Sequence, residues 1–187
     1  MVTVLRDLGA APMTVASGGL LWGLLGAAVL WDVLRRRIPN PIPVTLALAG
    51  VAVHLWTRSP GIALLSSLGG LLTGFVVWLP LYVFRLTGAA DLKLAAAAGT
   101  WLGPLGALWA SLYAALVGGL LALLWLWRSE GLMGGWVFLR TFPQRVFGGA
   151  VALRATAVTG ASVPYALAIA AGVALELFGA SLLGGMR

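Results

Sequence analysis

The sequence has no cysteine and a single histidine, His54. The first absence excludes disulfides, thiolate metal sites and cysteine nucleophiles, and the second excludes a metal centre built from histidines. Charge is scarce too. Asp, Glu, Lys and Arg make up 9% of the 187 residues, against about 25% in soluble domains, which rules out an ordinary water-soluble fold. Apolar residues take the space, at 61% of the chain. About 20 apolar residues cross a bilayer as a helix, and the length holds about six such spans with short connections. Residues 1–187 therefore read as one all-α, polytopic membrane domain with no separate soluble unit. The 26 glycines let helices in lipid approach closely, as in a packed bundle.

Twelve basic residues stand against 5 acidic ones, for a net charge of +7. In a membrane protein such an excess sets topology, so the lipid bilayer is an expected partner and nucleic acid is not. The first apolar run, from about Met13 to Leu34, holds one charge, Asp32, and is followed by Arg35, Arg36 and Arg37. A cleavable signal peptide carries its positive charge ahead of the run. Here Arg6 is offset by Asp7, which predicts an uncleaved first helix with its N-terminus outside. Asn40-Pro41 reads as a helix start, with Asn40 as the cap and Pro41 where a missing N–H matters least. It opens a second run to Trp56, and Arg58-Ser59-Pro60-Gly61 turns the chain into a third, to about Phe84.

Beyond this point the span count is ambiguous, because Leu94 to Gly103 is a short run and Pro104 separates it from Leu105 to Trp127. Charge decides between the alternatives. Six spans put Arg35, Arg36, Arg37, Arg85, Lys93, Arg128, Arg140, Arg145 and Arg154 inside, and Arg6, Arg58 and Arg187 outside. One kinked helix from Ala89 to Trp127 would divide the same residues evenly, so the positive-inside rule favours six, with a short fourth span starting near Ala89. Between Arg128 and Gly160, aromatic residues mix with Arg140, Gln144 and Arg145, and Pro143 is expected to interrupt any long helix. That pattern predicts a segment lying in the inner interface. Ala161 to Leu183 forms the last span, with Glu176 in its outer half.

An aspartate in hydrocarbon costs about 2.5–3.5 kcal/mol on insertion scales, so Asp32 and Asp91 need a reason to be there. In the six-span topology Asp32 ends the first span and Asp91 opens the fourth, both at the inner border. Two carboxylates that share a site hold one proton between them. The ionised member can activate a water for attack on a peptide carbonyl, while the protonated one supports the developing oxyanion and a proton later reaches the leaving amine. No metal or cofactor is called for. On spacing alone, an interfacial loop residue at Asp32 and a helix cap at Asp91 stand as an equal alternative.

The flanking residues add a resemblance. Asp32-Val33-Leu34-Arg35-Arg36-Arg37-Ile38-Pro39-Asn40 resembles the Asp…Arg-x-Ile-Pro-Asn segment of type IV prepilin peptidases, and Gly88-Ala89-Ala90-Asp91-Leu92-Lys93-Leu94 resembles their G-x-G-D-x-K-L segment. Gly99-Thr100-Trp101-Leu102-Gly103-Pro104, Val163-Pro164-Tyr165 and Ala170-Ala171-Gly172 are similar to the family's later helices. The resemblance implies a membrane aspartyl endopeptidase of the cell membrane, cofactor-free, that cuts the basic leader from a prepilin or pseudopilin with an apolar helix at the cytoplasmic face. Asp32 and Asp91 would be its catalytic dyad, with Gly88, Lys93, Asn40 and Pro39 in support. Larger members carry a cysteine-rich segment and also methylate the product. With no cysteine and a short chain, the peptidase-only form of tight-adherence or Flp pilus systems is expected. Ala90 departs from the family, which has glycine there; if that glycine bends the chain before the helix, Ala90 either shifts Asp91 or requires an already helical backbone, with the fourth helix starting a turn earlier.

Other readings of single residues are weaker. Ser162 with His54 would suit a rhomboid-like serine protease, but the topology puts them at opposite borders. Lys93 either orients the dyad or substrate or snorkels to the interface. Arg35 to Arg37 face lipid phosphates. Tyr165 and Pro164 line a substrate groove or pack in the core, and Glu176 meets a polar cavity or a helix interface. A non-catalytic component of a pilus or secretion assembly, or a small transporter, is the alternative class. A transporter predicts ionisable groups near mid-membrane and a repeated half, and the sequence displays neither.

Overall fold

The structure, a computed structural model, describes residue 10 and residues 14–35, 37–84, 87–147 and 165–184. The described chain is helical, without a strand among those residues. Its helices are α1 (Val15–Arg35), α2 (Pro41–Thr57), α3 (Pro60–Val83), α4 (Ala89–Phe147) and α5 (Tyr165–Gly184). Val15–Arg35, Pro60–Val83 and the Ala89–Leu121 part of α4 are long and apolar enough to cross a membrane, and Pro41–Thr57 and Tyr165–Gly179 are shorter apolar helices. Large apolar side chains such as Leu34, Trp56, Leu116 and Phe178 lie on the outside of the bundle, where lipid rather than water is their natural solvent. The chain is a polytopic helical membrane protein.

Pro41 and Pro60 each sit in the first turn of their helix, where no intrahelical partner is lost. Asn40 does not cap α2 as expected. A capping residue needs extended backbone so that its side chain can reach the next turn, whereas Asn40 is already right-handed helical (φ −53°, ψ −32°) and makes no capping bond. Its Oδ1 instead accepts a hydrogen bond from Lys93 Nζ at 3.1 Å. Pro143 does not interrupt a helix either, since α4 continues through it to Phe147. A proline close to a helix end forfeits little of the ladder beyond it. Residues 148–164, which include Arg154, Ser162, Val163 and Pro164, lie outside the described residues.

The helical assignment of α4 is continuous, yet the chain reverses within it. Along a straight helix Gly99 and Ala107 would be about 12 Å apart, but a methyl group placed on Gly99 would come within 3.3 Å of the Ala107 Cβ. The reversal falls at Gly103, whose φ is 70°. This backbone conformation is easy for glycine and strained for other residues, and Pro104 follows with no N–H to continue the ladder. The two legs therefore pack antiparallel. The first lies against α3, where Gly70 and Gly99 meet backbone to backbone and leave no room for a methyl on either. It is also fixed to α2 by Trp101, which is fully buried and donates its indole N–H to the Leu46 carbonyl at 2.8 Å. The second leg lies against α5, with Gly118 beside Tyr165 and Gly106 beside Glu176. The core between these elements is built from Leu21, Leu25, Leu46, Trp78, Leu94 and Trp101.

Candidate functional site

One end of the bundle collects the end of α1, the start of α2, the end of α3 and the starts of α4 and α5. Asp32, near the end of α1, is half-buried. Its Oδ2 accepts a hydrogen bond at 3.2 Å from the backbone N–H of Ala166, the second residue of α5. The first N–H groups of a helix lack partners within it and carry the positive end of its dipole, so a carboxylate there satisfies both. Asp91 stands in the first turn of α4 at 9% exposure. Its Oδ2 accepts the N–H of Gly88 at 3.0 Å. Gly88 immediately precedes the helix, so this bond is one half of a capping box, and it uses one oxygen of the carboxylate.

The two aspartates stand at the same end of the bundle, where burial is the main influence on Asp91 and the charge of Asp32 a smaller one. Beside them is Tyr165, the first residue of α5, whose ring stands edge-on to Trp78 with centroids 6.5 Å apart and planes at 89°, and which is within electrostatic reach of Asp91. Of the supporting residues expected from sequence, Gly88 is the donor to Asp91, while Lys93 and Asn40 bond to each other, not to either aspartate. That bond ties the connection after α1 to the first leg of α4. Pro39 is half-buried between buried Ile38 and exposed Asn40. Ala90 lies within the first turn of α4, so its backbone is helical, which is one of the two alternatives its departure from the family pattern left.

Other polar residues are elsewhere. His54 is fully buried on α2 beside the backbone of Thr100 and Trp101, and among the described residues neither of its ring nitrogens has a well-formed hydrogen bond. Glu176 lies along α5 next to Gly106, away from Tyr165. Arg35 stacks over the Trp31 ring at 5.1 Å. Among the described residues no group of three His, Asp or Glu side chains could hold a metal ion. The contributions of Ala166 and Trp78 carry no signal in the sequence. One is a backbone N–H of an alanine and the other an ordinary apolar-run tryptophan, and only the fold brings them to Asp32 and Tyr165.

Residues 19–123 match the model of the type IV leader peptidase family. The chain belongs to this family. Both aspartates fall within the matched residues, whereas Tyr165 and Ala166 of this type IV leader peptidase family member lie beyond them. Similar proteins include two named prepilin leader peptidase/N-methyltransferase, from Burkholderia pseudomallei strains 1026b and K96243. Each is 31% identical over 129 residues, which is 65% of this chain and 41% of the relative. The chain thus aligns with less than half the length of these curated relatives. No solved structure matches it.

Proposed function

We propose that this protein is an aspartyl endopeptidase of the cell membrane that removes the basic leader from prepilin-like substrates at the cytoplasmic face, with Asp32 and Asp91 as its dyad. It crosses the membrane six times with its N-terminus outside. The observation that carries this reading is that Asp32, bonded to the start of α5, and Asp91, at the start of α4, are distant in sequence yet within electrostatic reach of each other at one end of the bundle. Arg35, Arg37 and Lys93 stand at the same end of the bundle and Arg58 at the other, which supports a cytoplasmic site under the positive-inside rule.

In the proposed reaction the ionised aspartate takes a proton from a water as its oxygen attacks the scissile carbonyl carbon. The protonated partner donates to the carbonyl oxygen. The tetrahedral intermediate then collapses: the C–N bond breaks, the proton taken from water passes to the leaving amine, and the proton on the former carbonyl oxygen returns to its aspartate as the C=O bond re-forms. Leader removal is the whole of this reading. The methyltransferase half of the relatives' name belongs to proteins of which this chain matches 41%.

The test is cleavage of a prepilin by the detergent-purified protein and by Asp32→Asn and Asp91→Asn. Asn keeps the shape of the side chain and loses its proton chemistry. Each variant is expected to keep its helical content and lose cleavage. Near-normal turnover by either would overturn the dyad, and intact pilus assembly with both substituted would point to a non-catalytic component.

A further inference from the structure

Tyr165 opens α5 next to the residue that binds Asp32 and lies within electrostatic reach of Asp91, and the reaction above makes no use of it. Its ring is held from two sides. The edge-on Trp78 is 1% exposed and cannot give way, and on the other side Gly118 comes so near that a methyl there would lie 3.1 Å from the Tyr165 Cε1. The next residue in the chain donates its N–H to Asp32, and the charge of Asp91 reaches the phenol, which is largely shielded from solvent. The hydroxyl makes no hydrogen bond among the described residues. A phenylalanine would fill the same space against Trp78 and Gly118, so packing explains the ring and leaves the hydroxyl unexplained.

Proton bookkeeping gives that hydroxyl a task. The dyad holds one proton for the carbonyl oxygen, and a carbonyl oxygen has two lone pairs. The N–H of Ala166 is not free to be a second donor, because Asp32 already takes it. A phenol ionises only near pH 10, so at neutral pH it can donate throughout the step without losing its proton. A rigidly held donor aimed at developing charge is worth most where it needs no rearrangement.

We propose that Tyr165 is a third catalytic residue of the site, its hydroxyl donating a hydrogen bond to the carbonyl oxygen of the scissile peptide as that oxygen becomes negative. No bond to the phenol forms or breaks. The proposal rests on Asp32 and Asp91 being the dyad, and it concerns a residue outside the segment matched by the family.

The experiment compares the full chain in detergent with Tyr165→Phe, Asp32→Asn and Asp91→Asn, by steady-state prepilin cleavage and thermal unfolding. Removing one such donor in a characterised protease costs 10²–10³ in kcat. Tyr165→Phe is therefore expected to lower kcat by about 10²-fold, leave KM within about twofold and leave the unfolding temperature unchanged, as befits a contact made only in the transition state. A wild-type kcat in Tyr165→Phe, or a loss carried wholly by KM, would overturn the proposal. The aspartate variants separate the two claims. If both are inactive while Tyr165→Phe matches wild type, the hydroxyl's role alone falls; if either aspartate variant retains turnover, the dyad falls and this proposal with it.

Discussion

Asn40 and Lys93 show how a residue can be placed correctly and given the wrong partner. Asn40-Pro41 does mark the start of a helix, because proline's fixed φ and missing N–H suit the first turn. The cap failed because capping depends on one backbone torsion that no local pattern dictates, and the amide was free to meet a lysine from a helix far along the chain. Exposure limits what that bond contributes. Lys93→Met and Asn40→Ala are each expected to cost at most about 1 kcal/mol of unfolding free energy. The double variant should cost little more than either alone, because both remove one interaction. A double-mutant cycle by unfolding in detergent checks this, and additive losses would mean that the two side chains act separately. Asp91 shows the opposite case. Its two sequence readings, helix cap and acid, are compatible, since one carboxylate oxygen takes the Gly88 N–H and a carboxylate has capacity to spare on the other.

Among the elements, α4 was the most legible and the least legible at once. Gly103-Pro104 signalled a break, and the structure turns the chain back there, with glycine in the left-handed conformation. What sequence could not convey is that the two legs would pack so tightly on each other and on α3. Apolar composition tells where a helix prefers to be, but the depth to which two helices sink together is decided by which small residues happen to face across the contact. Gly70 and Gly99 are such a pair. Gly70→Ala should destabilise the bundle by about 1–3 kcal/mol, the range for overpacking a filled interior. Gly19, which has open space around it, should tolerate the same change within about 0.5 kcal/mol. Unfolding of the two variants side by side makes the comparison, and equal stability would mean that the α3–α4 contact relaxes freely. The helix beyond Leu121 was misjudged at Pro143, because a proline is read as a breaker wherever it stands, while its effect depends on how much ladder follows it.

At the level of the molecule, the class was plain from composition, since so few charges and so many apolar residues leave only a membrane bundle. That Asp32 and Asp91 share one end of the bundle was expected from the topology, in which alternate crossings would return the chain to the same side. The part played by α5 did not follow, for a helix start contributes through backbone N–H groups that every sequence possesses. Substrate delivery belongs to this scale as well. A prepilin-like chain has a long apolar segment after its leader, and the outside of the bundle is apolar from Leu34 to Trp56 and Leu116. Under the proposed function, such a substrate is expected to lie in the bilayer as one more helix and present its cleavage site at the end of the bundle that holds Asp32 and Asp91. Deleting its apolar segment should then raise KM at least about tenfold with little change in kcat, as measured by steady-state cleavage in proteoliposomes. Unchanged kinetics would indicate recognition of the leader alone.

The hydrogen bond from Ala166 to Asp32 joins the first described helix to the last. During synthesis, α1 through α4 leave the ribosome before α5 does, so a nascent chain bears both aspartates for some time without the segment that seats one of them. In the proposed reaction hydrolysis therefore waits for α5, and a polypeptide stalled before residue 165 is expected to insert and to cleave no prepilin.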